Sequence, residues 1–460
     1  MKKLTTILII ASVFSTAAFA QKQTPPEGST PKDFKLSEKK AQSYPNGLKT
    51  VFVTYGSIPK VSVSLIIKTG NIHEGKNQTW LADLTGKMLK EGTSSMDFKL
   101  ISKKAASMGG SINVSVGVEQ VNIGGSVLSE FAAEFITMVS ELAMNPAFPA
   151  SELERIKTDM KRDLSVQKGV PQNIAEEKFF QTMYKDHPYG RYYPTEAMIT
   201  SYTLPMVKDF YNKNFGAKRS VVYVVGNFDE AAVKSAIDKG LGKWKAGPAP
   251  VYQPATLVAK RDTAIIDRKG APQTTVMIGL PVLTPKDKDY VAQVITNSLL
   301  GGSFGSRITS NIRENKGYTY SPYSYVQNRH GGSIWVEAAD VTSEHTIASL
   351  NEIEKEIKRL QSEAPSKQEL EGIQRYEAGI FVLRNTSPDG IINQLNFLDQ
   401  NGLPDAFLNN YVQNMYKVTP EKVSQLAKDK FKYENMTVVM VGDKAQIEHQ
   451  AGKKTEKKAF

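Results

Sequence analysis

The stretch VVYVVG at residues 221–226 decides the fold, because it returns as TVVMVG at residues 437–442. Working outward, PKVSV at residues 59–63 returns as PQTTV at residues 272–276. The two pairs are separated by 216 and 213 residues, so the register holds across half of the chain. Each late strand also follows a helical stretch with aromatic residues near its end: Phe210, Tyr211 and Phe215, then Phe431 and Tyr433. A repeat of this length predicts a duplicated unit. Strand pairs followed by long helices, with few tight βαβ alternations, predict an α+β fold of two homologous halves. In each half, helices pack on a mostly antiparallel sheet. Gly247, Pro248, Pro250 and Pro254 mark the break between them. The expected division is a first half at 44–246, a linker at 247–260 and a second half at 261–450. A basic tail follows at 451–460. The first half opens at the turn signal YPNG, residues 44–47, and continues into strands at 48–55 and 61–67. Val61, Val63 and Leu65 alternate in the second of these.

The 460 residues suffice for two to four domains at about 100–200 residues each. The absence of cysteine excludes a disulfide framework, a thiol nucleophile and a thiolate metal site. The net charge of +11 is spread along the chain, with its densest cluster at Lys453, Lys454, Lys457 and Lys458. Residues 1–20 carry Lys2 and Lys3, an apolar run at 4–14 and the small-x-small signal Ala18-Phe19-Ala20. They read as a secretory signal peptide cut before Gln21. Residues 21–43, rich in Lys, Pro and Ser, read as an extended lead-in. The expected address is the periplasm or another exported compartment, which argues against nucleic acid as a partner. No transmembrane segment is expected in the mature chain.

Residues 79–92 read TWLADLTGKMLKEG. Trp80, Leu81, Leu84, Met88 and Leu89 fall on one helical face, with Gly92 as a C-cap. Asp83 and Lys87 are expected as a surface pair worth about 0.2–0.5 kcal/mol, with Gly86 between them. By its position this segment resembles the zinc helix of the insulinase/pitrilysin-type metallopeptidases, the inverzincins, whose motif is H-x-x-E-H. In that motif two histidines hold zinc and the glutamate activates its water. The matching positions here are Asp83, Gly86 and Lys87, and all three depart from the motif. The family's third ligand, a glutamate about 75 residues on, falls near Arg162 and Asp163. His73, His187, His330, His345 and His449 include no pair three or four apart. His187 opens the sequence HPYG, which also recurs in this family; by itself it reads as a structural turn.

Residues 299–320 read LLGGSFGSRITSNIRENKGYTY. Gly301, Gly302 and Gly305 predict a flexible loop entering a helix that Lys316-Gly317 closes. A strand is expected to begin there, with Tyr318 and Tyr320 on one face. No G-x-x-x-x-G-K-[ST] is present, so the loop is not a nucleotide-binding P-loop. From the pattern alone, Arg313 reads equally as a surface charge and Tyr320 as a core aromatic. Arg313, Gly317 and Tyr320 form R-x-x-x-G-x-x-Y, similar to the arginine–tyrosine arrangement of the inverzincin second half. The resemblance implies that these two side chains hold a peptide carbonyl. It also implies a clam-shell architecture, of which this chain forms half. The glycine loop resembles, in shorter form, the substrate-contacting loop of the non-catalytic mitochondrial processing subunit.

The resemblance thus implies a non-catalytic, substrate-binding subunit of a periplasmic heteromeric zinc peptidase. It would use Arg313, Tyr320, Gly301, Gly302 and Gly305, with no cofactor of its own. Zinc is expected in a partner chain with intact H-x-x-E-H. Two other readings stand beside it: a peptide-binding homodimer without peptidase activity, and an autonomous metallopeptidase with an atypical site around Asp83, Asp163 and His187.

Overall fold

The computed structural model describes residues 34–458, with side chains through residue 452. The expected signal peptide at 1–20, the first part of the lead-in and residues 459–460 lie outside the described residues. The chain folds into two sheets of nearly the same plan. The first holds β1 (Lys39–Ser43), β2 (Lys49–Thr54), β3 (Lys60–Ile67), β4 (Asn113–Val116), β5 (Val121–Leu128) and β6 (Ser220–Gly226). Its order is β1-β2-β6-β3-β5-β4. The second holds β7 (Asp262–Asp267), β8 (Gln273–Val282), β9 (Tyr323–Arg329), β10 (Gly332–Thr342) and β11 (Thr437–Gly442), in the order β7-β11-β8-β10-β9. Only β2–β6 and β7–β11 pair in parallel; every other pair is antiparallel. The repeat read from VVYVVG and TVVMVG is therefore the repeat of β6 and β11, each set between a parallel and an antiparallel neighbour. The fold is α+β with two homologous halves.

The extra strand of the first sheet is β1. The expected start of the fold at Tyr44 falls inside a hairpin, because β1 pairs with β2 and the Asn46-Gly47 turn joins them. Gly47 adopts φ 91, a value that favours glycine. At the other end, helix Lys444–Lys458 extends through most of the expected tail.

The strands are more buried than their alternation predicts. β6 is buried at every residue, and β3 at all but Lys60. The reason is an exchange of helices. Helix Pro171–Tyr184 belongs to the first half but lays Ala175, Phe179, Phe180 and Met183 on the second sheet, against Met277, Ile334, Val336, Val439 and Val441. Helix Pro388–Asn401 returns the arrangement. Its Ile391, Ile392, Leu395 and Leu398 cluster with Val53, Ile66, Val221, Tyr223 and Val225 of the first sheet. Both helices begin with proline at the first turn, where no N–H is missed and φ is already helical. Each sheet is thus covered on one face by helices of its own half and on the other by a helix of the opposite half. Ser62 and Ser64 face this second layer and remain satisfied: Ser62 Oγ shares a hydrogen bond with Ser126 Oγ at 2.6 Å, and Ser64 Oγ donates to Asn122 Oδ1 at 2.6 Å.

Residues 244–261 connect the halves with neither helix nor strand. Among the described residues, no helix is long and apolar enough to cross a membrane.

Candidate functional site

Helix Leu81–Lys90 buries Leu81, Leu84, Met88 and Leu89 in the first-half core, as its spacing predicts. Its N-terminus is held by Glu74. One carboxylate oxygen accepts from the Ala82 N–H at 2.8 Å, the other from the Trp80 N–H at 3.1 Å. These are two of the orphan donors that every helix start presents. The Asn71 side-chain amide donates to Glu74 at 3.1 Å and to Asp83 Oδ2 at 2.6 Å, bridging two carboxyl groups. Burial, reinforced by the Asp83 charge, pushes Glu74 up to about 8, and burial also raises Asp83.

Asp83 therefore turns toward Asn71, and the expected surface pair with Lys87 is not formed. Lys87 instead reaches Asp163 Oδ2 at 3.8 Å, with both side chains about half exposed. Such a loose pair contributes at most about 1 kcal/mol. Gly86 faces β4 so closely that an added Cβ would lie 2.4 Å from Val116 Cγ2. The four positions that the resemblance assigns to a metal helix and its third ligand are thus adjacent. Their chemistry, however, is a cation, a glycine pressed on a strand, and two carboxylates committed to Asn71 and Lys87. This donor set does not fit zinc. Among the described residues, no group of three or more His, Asp or Glu side chains converges as metal ligands would. His187 adds nothing to it: Nδ1 accepts from the Tyr189 N–H at 3.2 Å and Nε2 donates to the Gln253 carbonyl at 3.1 Å. Both ring nitrogens are engaged by backbone, so the set Asp83, Asp163 and His187 does not assemble.

In the second half, Arg313 lies in a π-helical stretch, Thr309–Asn315, that ends at Gly317 with φ 65. Its guanidinium carbon sits 4.3 Å from the Phe304 ring centroid and 5.1 Å from that of Tyr320. The cation is flanked by two aromatic faces, each such contact being worth about 0.5–1 kcal/mol when exposed. A 3.4 Å approach to Glu314 is its ion pair. Tyr320 is 79% exposed and Phe304 70% exposed, so Tyr320 is no core aromatic. Among the described residues, no hydrogen bond engages the Tyr320 hydroxyl. The strand expected from Tyr318 begins later, at Tyr323. Tyr318 stacks on His345 at 4.3 Å, Thr319 makes an isolated bridge to Val341, and Pro322 interrupts the ladder. This leaves Tyr320 on a projecting turn, free of sheet neighbours.

The glycines divide. Gly301 and Gly302 end a π-helical turn, Ser298–Gly302, rather than forming a flexible loop. A Cβ on Gly301 would lie 2.3 Å from Glu337 Oε2 and 2.7 Å from Ser324 Oγ; one on Gly302 would lie 2.4 Å from Asn297 Nδ2. Gly301 serves close packing against β9 and β10, and Gly302 close packing against Asn297 at the end of the preceding helix. Gly305 is exposed, with nothing within 4 Å of such a Cβ. Gly301→Ala is expected to cost about 1–3 kcal/mol through overpacking. Gly305→Ala should stay within about 0.5 kcal/mol of the parent. Denaturant unfolding of the two variants distinguishes them, and equal midpoints would refute the packing role of Gly301.

The turn at Tyr320 runs into the boundary between the halves. Ser321 and Tyr323 line a small cavity of about 90 Å³, together with Gln172, Glu176 and Asp340. There Gln172 Nε2, from the first half, donates to Asp340 Oδ2 at 2.7 Å. Among the described residues, no hydrogen bond or ion pair joins the Arg313 cluster to helix Leu81–Lys90. Two participants escaped sequence reasoning. Phe304 was legible as a large apolar residue isolated in a glycine-rich stretch. Glu74 carried no signal, because its partners are backbone N–H groups six and eight residues on.

Comparison with known proteins follows this division into halves. The family model for insulinase (peptidase family M16) matches residues 50–194, and that for the peptidase M16 inactive domain matches residues 201–376. The uncharacterized zinc protease YmxG of Bacillus subtilis (strain 168) is 23% identical over 402 residues, covering 84% of this chain and 94% of its own. The non-peptidase homolog YmxG of Helicobacter pylori is 24% identical over 396 residues, covering 84% and 90%. A crystal structure of a peptidase M16 inactive domain from Pseudomonas fluorescens superposes with a TM-score of 0.81 at 24% identity, covering 88% of this chain and 98% of that one.

Proposed function

This chain belongs to the insulinase family of peptidases, M16, and we propose that within it the chain is a non-catalytic, substrate-binding subunit of an exported two-chain zinc peptidase. The observation that carries this reading is the contrast between its two sites. The helix in the metal-binding position offers Asp83, Gly86 and Lys87, a set that neither holds zinc nor supplies a base. The Arg313 cluster, in contrast, is open and armed with donors. The zinc, its water and the general base belong in this reading to a partner with an intact H-x-x-E-H.

The contribution of this chain is then positional and electrostatic. Arg313 has five N–H donors and a fixed charge; Tyr320 has a hydroxyl that no described residue occupies. Both can donate to a peptide carbonyl, and both gain strength as the carbonyl oxygen becomes an oxyanion. Contact with the Phe304 and Tyr320 rings restricts the guanidinium, so less freedom is lost on binding. Gly305, beside Phe304, leaves room for a peptide backbone to approach.

The test is capture of the tagged mature chain from the native envelope fraction, followed by mass spectrometry. The expected result is a partner of similar length bearing H-x-x-E-H. Neither purified chain alone should cleave a peptide library, whereas the mixture should. A chain that returns alone as a homodimer and retains peptides uncut would overturn the two-chain reading in favour of a peptide-binding protein.

A further inference from the structure

Three of the five histidines close on three consecutive residues of the segment that connects the halves. His73 Nε2 lies 3.2 Å from the Val251 carbonyl oxygen. The His330 ring stacks on Tyr252, with centroids 3.9 Å apart. His187 Nε2 lies 3.1 Å from the Gln253 carbonyl oxygen. Before them, Arg219 donates to the Pro248 carbonyl at 3.3 Å and to that of Ala249 at 3.0 Å. After them, the Val258 N–H donates to the Met183 carbonyl at 3.1 Å. A segment without helix or strand is thus pinned residue by residue.

The hydrogen bonds fix the protonation of two of these rings. A carbonyl oxygen only accepts, so Nε2 of His73 and of His187 carries the proton. Nδ1 of His73 accepts from the Gly70 N–H at 3.3 Å, and Nδ1 of His187 from the Tyr189 N–H at 3.2 Å. Each ring is therefore the neutral Nε2–H tautomer. A second proton would sit on Nδ1 and meet a backbone N–H head-on, replacing a hydrogen bond by repulsion between two donors. His330 differs: protonating it would leave its stacking on Tyr252 in place.

We propose that residues 247–258 form an acid-released strap, which His73 and His187 hold while neutral and let go when protonated, loosening the connection between the halves. Around His73 and His187 the hydrogen bonds to the Val251 and Gln253 carbonyls favour a second proton, but burial and the neighbouring arginines outweigh them. His73 faces Arg219, whose cation opposes a second positive charge, and more weakly Glu119, which favours one. His187 faces Arg191 and the rings of Tyr184 and Tyr189; His330 faces Glu119, Lys286 and Lys68. Burial is the leading cause for all three, and each pKa lies below the ordinary 6.5. The released rings bind protons more readily than the held ones. The strap is therefore at full strength above about pH 6.5 and weakens as the pH falls. Each proton taken up on release raises the opening constant by up to about tenfold per pH unit, until the held ring itself titrates.

Hydrogen exchange followed by mass spectrometry on the full mature chain, corrected for intrinsic rates, tests this directly. Between pH 7.5 and 5.5, peptides spanning residues 247–258 are expected to lose protection, by up to about tenfold for each histidine, while β6 and helix Pro171–Tyr184 keep theirs. Unchanged protection in the segment, or a loss spread evenly over the chain, would overturn the proposal. Glutamine mimics the neutral ring, since its amide both donates and accepts. The double variant His73→Gln and His187→Gln is therefore expected to hold the strap equally at both pH values. A double variant with the parent's pH dependence would remove the histidines from the mechanism. The measurement on the parent chain decides the matter even if that variant does not fold.

Discussion

Arg313→Ala is expected to lower turnover of the assembled two-chain complex by about 10²-fold, with folding and pairing unchanged. The stability half of this expectation follows from the partners of Arg313, which are themselves exposed. Arg313 contacts two exposed rings and one neighbouring carboxylate, so its removal forfeits three interactions of about 1 kcal/mol or less each. The catalytic half follows from what a guanidinium does to a peptide carbonyl. A donor that strengthens as charge develops on oxygen lowers the barrier more than it tightens substrate binding, so its loss should appear mainly in kcat. A residue that only grips the ground state would raise KM alone. Tyr320→Phe removes the hydroxyl but keeps the ring over Arg313, and should give a smaller loss of the same kind. Arg313→Lys keeps the charge but not the planar fork, and is expected to recover only part of the activity. Steady-state kinetics on the reconstituted complex separate these cases. Turnover of the alanine variant equal to that of the parent would remove Arg313 from the reaction.

The parts of this molecule that were legible in its sequence are those whose signal is local. The repeat was visible because β6 and β11 are buried on both faces and so read as continuous apolar runs, VVYVVG and TVVMVG. The inner faces of β3 were not. Ser62 and Ser64 look like the solvent side of an alternating strand, and only helix Pro388–Asn401, more than 300 residues away, makes that side interior. The same rule divides the candidate site. Arg313, Gly317 and Tyr320 are close in sequence and form a pattern. Phe304 joins them from the turn before the helix, nine residues ahead of Arg313, and its ring contact leaves no periodic trace. The inward turn of Asp83 depends on Asn71, twelve residues earlier in an aperiodic stretch. Acid–base spacing on a helix suggested a pair with Lys87, but a buried amide donor competes better for the carboxylate than a solvated ammonium does. The His73 and His187 contacts with the connecting segment span 178 and 66 residues, which no motif encodes.

Writing the metal motif back into the first half, as Asp83→His, Gly86→Glu and Lys87→His, is expected to yield no zinc enzyme and a less stable chain. Position 86 decides the outcome. In a helix, alanine is favoured over glycine by about 1 kcal/mol, so a tolerant site would gain stability from Gly86→Ala. Here even that methyl would come within 2.4 Å of Val116 Cγ2, and either helix or strand must shift. The overpacking cost of about 1–3 kcal/mol should at least cancel the propensity gain. Glutamate adds four more heavy atoms beyond the Cβ, including a carboxylate with no donor waiting for it against β4. Its destabilisation should exceed that of alanine. The Lys87 change sacrifices little, since its pair with Asp163 is loose and half exposed. The Asp83 change strips Asn71 of one acceptor beside buried Glu74. Thermal unfolding should therefore rank the variants with Lys87→His nearest the parent and Gly86→Glu well below it, the triple variant lying lowest. Metal analysis of the triple variant should find less than one zinc per chain after dialysis, because the carboxylate at 163 is one methylene shorter than the family's third ligand and next to Arg162. A Gly86→Glu chain that melts with the parent would show that β4 yields freely. Stoichiometric zinc with peptide cleavage by the triple variant alone would show that the first half still carries the rest of a working metal site.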